Sequence, residues 1–128
     1  MKSIKVFFAG LGLVALILAF NHPVHAQNSD RPVAPYIVKD TDNESPGTNI
    51  VTRIVTIKAE VGGTRPLALQ WKLDRGHGFE DIPGATNATY RIGNAQVSDA
   101  GFYSLFATNA IGSIHTTPVP LIVSEGID

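Results

Sequence analysis

The stretch Asp99–Gly112, DAGFYSLFATNAIG, decides the fold. Aromatic and aliphatic side chains alternate in it with smaller or polar ones, and this period of two is typical of a β-strand. The alternation predicts a strand over Phe102–Thr108. Its predicted inward set is Tyr103, Leu105 and Ala107, and its predicted outward set is Phe102, Ser104 and Phe106. The Asp-Ala-Gly sequence at the start of the stretch indicates a tight corner, through which the chain enters the strand.

Six other segments have the composition of short strands. They are Val33–Val38, Ile50–Val61, Ala68–Leu73, Phe79–Ile82, Thr89–Ile92 and Ser113–Val123. Their predicted inward positions are Val55, Ile57, Ala59, Val61, Leu69, Trp71, Leu73, Tyr90, Ile92, Val119, Leu121 and Val123. Turns separate the segments and no helical period occurs, so about seven short strands predict an all-β, antiparallel β-sandwich.

Four prolines indicate which strands lie at sheet edges, because proline cannot donate a hydrogen bond to a neighbouring strand. Pro32 and Pro35 mark the first strand, and Pro118 and Pro120 mark the last. After the first strand, Asp40–Thr48 has the composition of a loop.

The first 26 residues have the features of a secretory signal peptide. Two lysines precede an apolar run from Val6 to Phe20, and Val24-His25-Ala26 supplies small residues before a cleavage site. The run is shorter than the roughly 20 residues of a membrane helix, and a retained anchor is the alternative. We therefore divide the chain into a signal peptide (1–26), a flexible N-terminus (27–34), a folded domain (35–124) and a C-terminal tail (125–128).

Cleavage after Ala26 would leave eight basic and eleven acidic side chains, which is a net charge of −3. This mildly acidic, dispersed charge gives no reason to expect nucleic acid or a membrane surface as a partner. The chain has no cysteine, which removes disulfides, thiol nucleophiles and thiolate metal sites. A domain of about 100 residues can bury enough apolar surface to fold without a disulfide.

Three features together resemble an immunoglobulin domain of the intermediate type, in the cysteine-free version found in exported bacterial proteins. The family's corner motif, Asp-x-Gly-x-Tyr-x-Cys, stands here as DAGFYSL, from Asp99 to Leu105. Trp71 matches the family's buried tryptophan, and Ala59, twelve residues earlier, matches its first cysteine. The resemblance covers roughly Pro35 to Val123, and it implies the immunoglobulin-like form of the sandwich.

The resemblance also assigns roles to single residues. Ala59 and Leu105 would occupy the positions of the two cysteines, where a small side chain opposite a larger one can fill the volume beside Trp71. The Tyr103 hydroxyl would bond to backbone near the corner. The residues expected to be architectural rather than ligand-binding are Trp71, Ala59, Leu105, Tyr103, Asp99 and Gly101.

Catalytic candidates are few. After Ala26, the two histidines are His77, in a glycine-flanked turn, and His115, on the last strand. The sequence places no serine and carboxylate beside either one, so neither predicts a catalytic group.

Asp40, Asp42 and Glu44 alternate as the oxygen ligands of a calcium site can. However, Ser45 stands where the calcium loop of helix–loop–helix proteins requires glycine. A solvated acidic loop is the preferred interpretation, and we expect neither a metal ion nor a cofactor.

The outward side of the central strand is the candidate interaction face. Phe102 and Phe106 lie on that side, with Gln70 and Lys72 expected on a neighbouring strand. Exposed apolar patches often mark interfaces. The alternative is that the Lys72 and Gln70 stems cover the rings, or that the rings are isolated exposed aromatics.

The resemblance implies a non-catalytic, exported binding or adhesion module at the cell surface, which recognises protein or glycan through a sheet face or through loops. A structural or self-assembling envelope component, and so a homo-oligomer, is the alternative, and an enzyme is a more distant one. These functions rest on the resemblance, because a fold by itself does not imply a function.

Overall fold

Nine β-strands form the fold in a computed structural model, which describes residues 31–44 and 47–126. The strands are β1 (Tyr36–Asn43), β2 (Thr48–Ile50), β3 (Val55–Gly62), β4 (Ala68–Asp74), β5 (Phe79–Asp81), β6 (Thr89–Ile92), β7 (Gly101–Thr108), β8 (Ser113–His115) and β9 (Val119–Ser124). One turn of 3₁₀ helix, Val97–Asp99, precedes β7. The predicted signal peptide lies outside the described residues, as do residues 27–30 of the predicted N-terminus and residues 127–128 of the tail.

The strands form two sheets. The small sheet has the order β1-β3-β6, and the large sheet has the order β2-β9-β7-β4-β5, with β8 also paired to β7. Only β2 and β9 run parallel among these pairs. The two inner faces enclose one apolar cluster, whose members are Val55, Ile57, Ala59, Trp71, Leu73, Ala85, Ile92, Ala95, Tyr103, Leu105, Leu121 and Val123. The predicted all-β sandwich is therefore confirmed.

The centre of the large sheet follows the alternation of the sequence closely. β7 pairs with β4 over seven residue pairs, from Ala68 opposite Thr108 to Asp74 opposite Phe102. Tyr103, Leu105 and Ala107 are buried, as the alternation predicts.

The corner before β7 is held by hydrogen bonds and by one glycine. The Tyr103 hydroxyl donates to the Asp99 carbonyl at 2.6 Å, which is the bond that the resemblance implies. The Asp99 carboxylate in turn accepts from the Gln96 N–H at 2.7 Å. Gly101 has a φ of 150°, and a Cβ at this position would lie 2.6 Å from the Asp74 carbonyl oxygen. Only glycine fits the corner at this approach.

The first strand begins and ends later than the predicted segment Val33–Val38. β1 starts after Pro35 and continues through Asp40–Asn43, which we expected in a loop. Two register shifts between Ile37 and Asp42 let these polar residues pair with β3. β1 pairs only with β3, so it lies at the edge that its prolines predict.

The predicted strand Ile50–Val61 is two strands in different sheets. β2 ends at Ile50 in the large sheet, and β3 begins at Val55 in the small sheet. Between them Thr52 has a φ of 75°, and its N–H donates to the Ala95 carbonyl at 2.8 Å. The apolar pattern runs through both strands, so it does not reveal the turn that separates them.

The predicted last strand, Ser113–Val123, is also divided, into β8 and β9. At the break, the Thr116 hydroxyl oxygen accepts from the Leu105 N–H at 2.8 Å, and the Thr116 N–H donates to the Leu105 carbonyl at 3.0 Å. A side-chain oxygen thus replaces one backbone acceptor of the ladder, which lets the strand break without leaving a buried N–H unpaired.

The edge position expected from Pro118 and Pro120 is wrong for the strand as a whole, because β9 lies between β2 and β7. β2 pairs only with the segment from Ile122 to Ser124. Pro120 therefore has β7 as its one neighbouring strand, and its missing N–H removes no bond on the other side.

The same break also ties β1 to the large sheet. One oxygen of Asp40 accepts from the N–H groups of Thr117 and Thr41, each at 2.8 Å, and the Thr41 hydroxyl donates to the Thr116 hydroxyl. Hydrogen bonding from Thr117 holds the pKa of Asp40 below its usual value. The edge strand of one sheet is thereby fixed to the other.

No helix among residues 31–44 and 47–126 has the length and apolar character that crossing a membrane requires.

Candidate functional site

The four residues of the predicted interaction face lie on β4 and β7, but they do not form one patch. Gln70 is directly opposite Phe106, whereas Phe102 lies four residues away along β7, between Asp74 and Pro120. Ser104 separates the two rings and is fully buried, and its hydroxyl donates to the Thr116 carbonyl at 2.7 Å. The outer face of the large sheet therefore has two distinct aromatic areas.

The first area is an aromatic cluster made of Phe79, Phe106, His115 and Lys72. The Phe106 ring lies 4.9 Å from the His115 ring in a nearly parallel stack, and 5.7 Å from the Phe79 ring in an edge-on contact. The Lys72 ammonium lies 4.5 Å from the centre of the Phe106 ring. Four different strands supply these side chains, so the cluster exists only in the folded sheet.

Hydrogen bonds and an ion pair hold the polar side chains around this cluster in place. Lys72 pairs with Asp81 at 3.1 Å. The Gln70 amide donates to the Trp71 carbonyl at 2.8 Å and to the Ile82 carbonyl at 2.7 Å. Lys72 thus covers part of the Phe106 ring, as in the alternative interpretation, while Gln70 bonds to backbone.

A groove of about 410 Å³ lies beside the aromatic cluster. Its lining includes Leu69, Gln70, Lys72, Thr86, Phe106 and Thr108. The groove thus offers one aromatic ring, an aliphatic side chain and several hydrogen-bonding groups on rigid strands.

The second area is the Phe102 patch, which consists of Phe102, Pro120 and Ile122. Phe102 and Ile122 are each 50% exposed, and Pro120 lies directly opposite Phe102 on β9. The patch is small and apolar, and it faces away from the core.

A cavity of about 230 Å³, which we call the flank cavity, lies between β5 and β6, the end strands of the two sheets. Tyr90 and Tyr103 stack in it with their ring centres 5.9 Å apart. Leu73, Ile82 and Pro83 supply apolar walls, and the charged lining residues are Arg75, Glu80, Asp81 and Asp99. The sequence interpretation missed this cavity, because its lining comes from segments that are distant in the chain.

Partners within the protein satisfy some of the charged groups of the flank cavity. Arg75 donates through Nε to the Ser98 carbonyl at 2.8 Å. The Asp81 carboxylate pairs with Lys72, and the Asp99 carboxylate accepts from the Gln96 N–H. Among the described residues, neither the Glu80 carboxylate nor the Tyr90 hydroxyl has a hydrogen-bond partner. Two polar groups on the flank cavity are thus free to bond to a ligand.

Burial raises the pKa of both tyrosines of the flank cavity. The nearby carboxylate of Asp99 raises the pKa of Tyr90 and Tyr103 further, and Arg75 acts in the opposite direction on both. Both phenols are neutral at physiological pH. The Tyr103 hydroxyl already donates its proton to the Asp99 carbonyl, so of the two only Tyr90 can donate a hydrogen bond to a ligand.

The acidic residues near the end of β1 contact three different parts of the protein. Asp42 lies 4.0 Å from Lys39, Glu44 lies 2.9 Å from Lys58, and Asp40 bonds to Thr117. Within residues 31–44 and 47–126, no three side chains of the metal-binding types are grouped so that they could hold an ion. Ser45 lies outside the described residues.

The two histidines are in different surroundings. His77 is exposed in a turn that the Asp74 carboxylate closes by accepting from Gly76 at 2.6 Å and from Gly78 at 3.0 Å. His115 stacks on Phe106, and its Nδ1 lies 3.2 Å from the Thr116 carbonyl.

Solved structures identify the class of fold. Domains 1–5 of Sidekick-1 match with a TM-score of 0.59 at 22% identity, over 73% of this chain and 19% of that one. One chain of the complex of titin M10 with an obscurin-like 1 immunoglobulin domain matches with a TM-score of 0.57 at 20% identity, over 75% of this chain and 99% of that one. The protein has an immunoglobulin-like fold.

Sequence comparison finds a similarity to one part of an enzyme. Endoglucanase C of Cellulomonas fimi is 28% identical over 94 residues, which is 73% of this chain. The chain spans only 8% of the length of that relative. No family model matches the chain.

Proposed function

We propose that this protein is an exported, non-catalytic binding module that contacts a protein partner through its aromatic cluster. One observation carries the proposal. Four strands of the large sheet place Phe79, Phe106, His115 and Lys72 together on the outer face, beside a groove. Aromatic side chains on a rigid scaffold are enriched at the centres of protein interfaces.

The comparisons support a binding module in general terms. The titin M10 structure is a complex that contains an immunoglobulin domain, so domains of this fold do take part in protein complexes. The endoglucanase alignment covers a small part of that enzyme, which fits a module joined to other parts in the relative. The leader-like first 26 residues support export.

Quantitative capture from the surface fraction of the producing organism tests the proposal. We expect the Phe106→Ser and His115→Ala proteins to lose a partner that the unchanged protein captures. Phe102→Ser is the matched control, because it removes an aromatic ring from the same sheet face outside the cluster. The second variant, His115→Ala, changes an exposed residue and should keep the fold.

Equal capture of the same proteins by the unchanged protein and by both cluster variants would reject the aromatic cluster as the binding surface. Circular dichroism and thermal melting of each variant show whether the fold is intact.

A second candidate function is self-association as a structural envelope component. The observation that favours it is the Phe102 patch, which leaves two large apolar side chains half exposed on adjacent strands. The patch belongs to a different part of the sheet from the aromatic cluster, so the two functions can be separated by substitution.

A further inference from the structure

We propose that the flank cavity binds one sugar ring of a neutral glycan. This site lies on the other side of β5 from the aromatic cluster, and Asp81 is the one residue that lines both this cavity and the groove. Glu80 alternates in β5 with Phe79 and Asp81, so its side chain points to the opposite side of that strand from the aromatic cluster. The inference therefore does not depend on the aromatic cluster.

The volume of the flank cavity limits the size of the ligand that it can hold. Its volume of about 230 Å³ is below the range of roughly 300–1,000 Å³ that is usual for sites of drug-sized ligands. The cavity can hold one ring of an oligosaccharide. The other rings would lie outside the cavity. The half-buried side chains of Tyr90 and Ile82, with the exposed Pro83, give the ring an apolar surface to rest on. Tyr103 and Leu73 are buried and form the base of this surface.

The polar groups of the cavity determine which hydrogen-bonding groups a ligand must carry. Glu80 can only accept hydrogen bonds, the Arg75 guanidinium can only donate, and the Tyr90 hydroxyl can do both. A ligand that satisfies all three must carry donors and acceptors around an apolar body. A pyranose ring meets this requirement, because its hydroxyl groups both donate and accept and its C–H faces are apolar.

The charges of the cavity disfavour an anionic ligand. An anion would lie close to the carboxylates of Glu80 and Asp99, which outnumber the one guanidinium group, Arg75. Asp81 is already paired with Lys72 at 3.1 Å. A neutral sugar avoids this repulsion, and its hydroxyl groups cost less free energy to bury than a charged group does when the cavity forms hydrogen bonds to them.

Isothermal titration calorimetry tests the inference on protein expressed from the complete sequence in an exporting host. The probes are cellohexaose, laminarihexaose, mannohexaose and chitohexaose. We expect at least one to bind, and we expect Glu80→Ala and Tyr90→Phe each to weaken its Kd by about tenfold, since each removes one hydrogen-bonding group of the cavity. Glu60→Ala and Tyr36→Phe are matched controls on exposed residues of the small sheet and should leave the Kd unchanged.

Two results would overturn the inference. One is the absence of heat from all four probes at millimolar concentration. The other is a Kd that Glu80→Ala and Tyr90→Phe leave unchanged while Phe106→Ser weakens it, which would place the glycan on the outer sheet face. Neither result bears on the capture of a protein partner, so the two proposals fail separately.

Discussion

Three buried side chains stand at the positions where the resemblance to immunoglobulin domains places a disulfide and its tryptophan. Trp71 and Leu105 are fully buried, and Ala59 lies in the same apolar cluster. The Trp71 indole donates to the Asn87 carbonyl at 2.8 Å, so its one polar group is paired. The core therefore relies on close packing around the indole where a covalent link is absent.

Truncation of the Leu105 side chain tests how much this packing contributes to the free energy of unfolding. Leu105→Ala should lower the free energy of unfolding by about 2–5 kcal/mol, because it leaves a cavity beside Trp71. Urea melts followed by tryptophan fluorescence measure the change. Val38→Ala, on an exposed side chain, is the control and should change stability by less than about 0.5 kcal/mol. A loss under about 1 kcal/mol for Leu105→Ala would contradict the packing described here.

The raised pKa of Tyr103 predicts a loss of stability in alkali. Burial favours the neutral phenol in the folded state, so this contribution is complete below about pH 10, the value for an unfolded tyrosine, and is lost as the pH rises toward the folded pKa. Urea melts between pH 7 and pH 11 should show the decline. Tyr103→Phe should make the decline shallower, and at neutral pH it should cost about 1–3 kcal/mol, because the Asp99 carbonyl loses its donor.

The control for this experiment is Tyr36→Phe, on an exposed ring. A decline above pH 10 that is equally steep in Tyr103→Phe would show that another group is responsible. Tyr90 is the first to examine in that case, because burial raises its pKa as well.

At the scale of the elements, the sequence predicted strands well where a period of two coincided with a single burial environment. β4, β6 and β7 each have one inward set, and their bounds differ from the predicted ones by a residue at most. The prediction was wrong where one continuous apolar segment of the sequence forms two strands that belong to different sheets. Ile50 and Val55 look continuous in the sequence, yet a turn at Thr52 sends them to different sheets.

The candidate site shows the same limit. The alternation placed Phe106 and Lys72 on the outer face, but it could not place Phe79 or His115 beside them. Those contacts depend on how β5 and β8 align with their neighbours, and short strands carry little information about alignment. The flank cavity depends in addition on the spacing of two sheets, which no local pattern reports.

The break between β8 and β9 makes a prediction of its own. Thr116→Val removes the hydroxyl oxygen that accepts from the Leu105 N–H, and leaves that buried donor unpaired. The free energy of unfolding should fall by about 1–3 kcal/mol in urea melts. The control is Thr108→Val on an exposed position of β7. Equal stability of the two variants would mean that water or a shift of the chain satisfies the Leu105 N–H.

At the scale of the whole molecule, the outer face of the large sheet divides into an ordered aromatic cluster and the Phe102 patch. The three side chains of the patch are far fewer than the 20–30 residues that each partner usually contributes to a stable interface. We therefore expect at most weak self-association.

Light scattering over a range of protein concentrations tests this expectation. The apparent mass should rise only at high concentration, and a Phe102→Ser, Ile122→Ser double variant should abolish the rise. Phe106→Ser, outside the patch, should not. A mass that stays at the monomer value at every concentration would remove the structural, self-assembling alternative.

The parallel pairing of β2 with β9 has a mechanical consequence. The chain reaches β2 from its N-terminal side and leaves β9 toward its C-terminus, and the two strands run in the same direction over three residue pairs. A force that pulls the two ends apart must slide these strands along each other, so their hydrogen bonds bear the load together and do not open one after another. In a module pulled at both ends, the load would thus fall on this short ladder once β1 has separated from β3, before the core is strained.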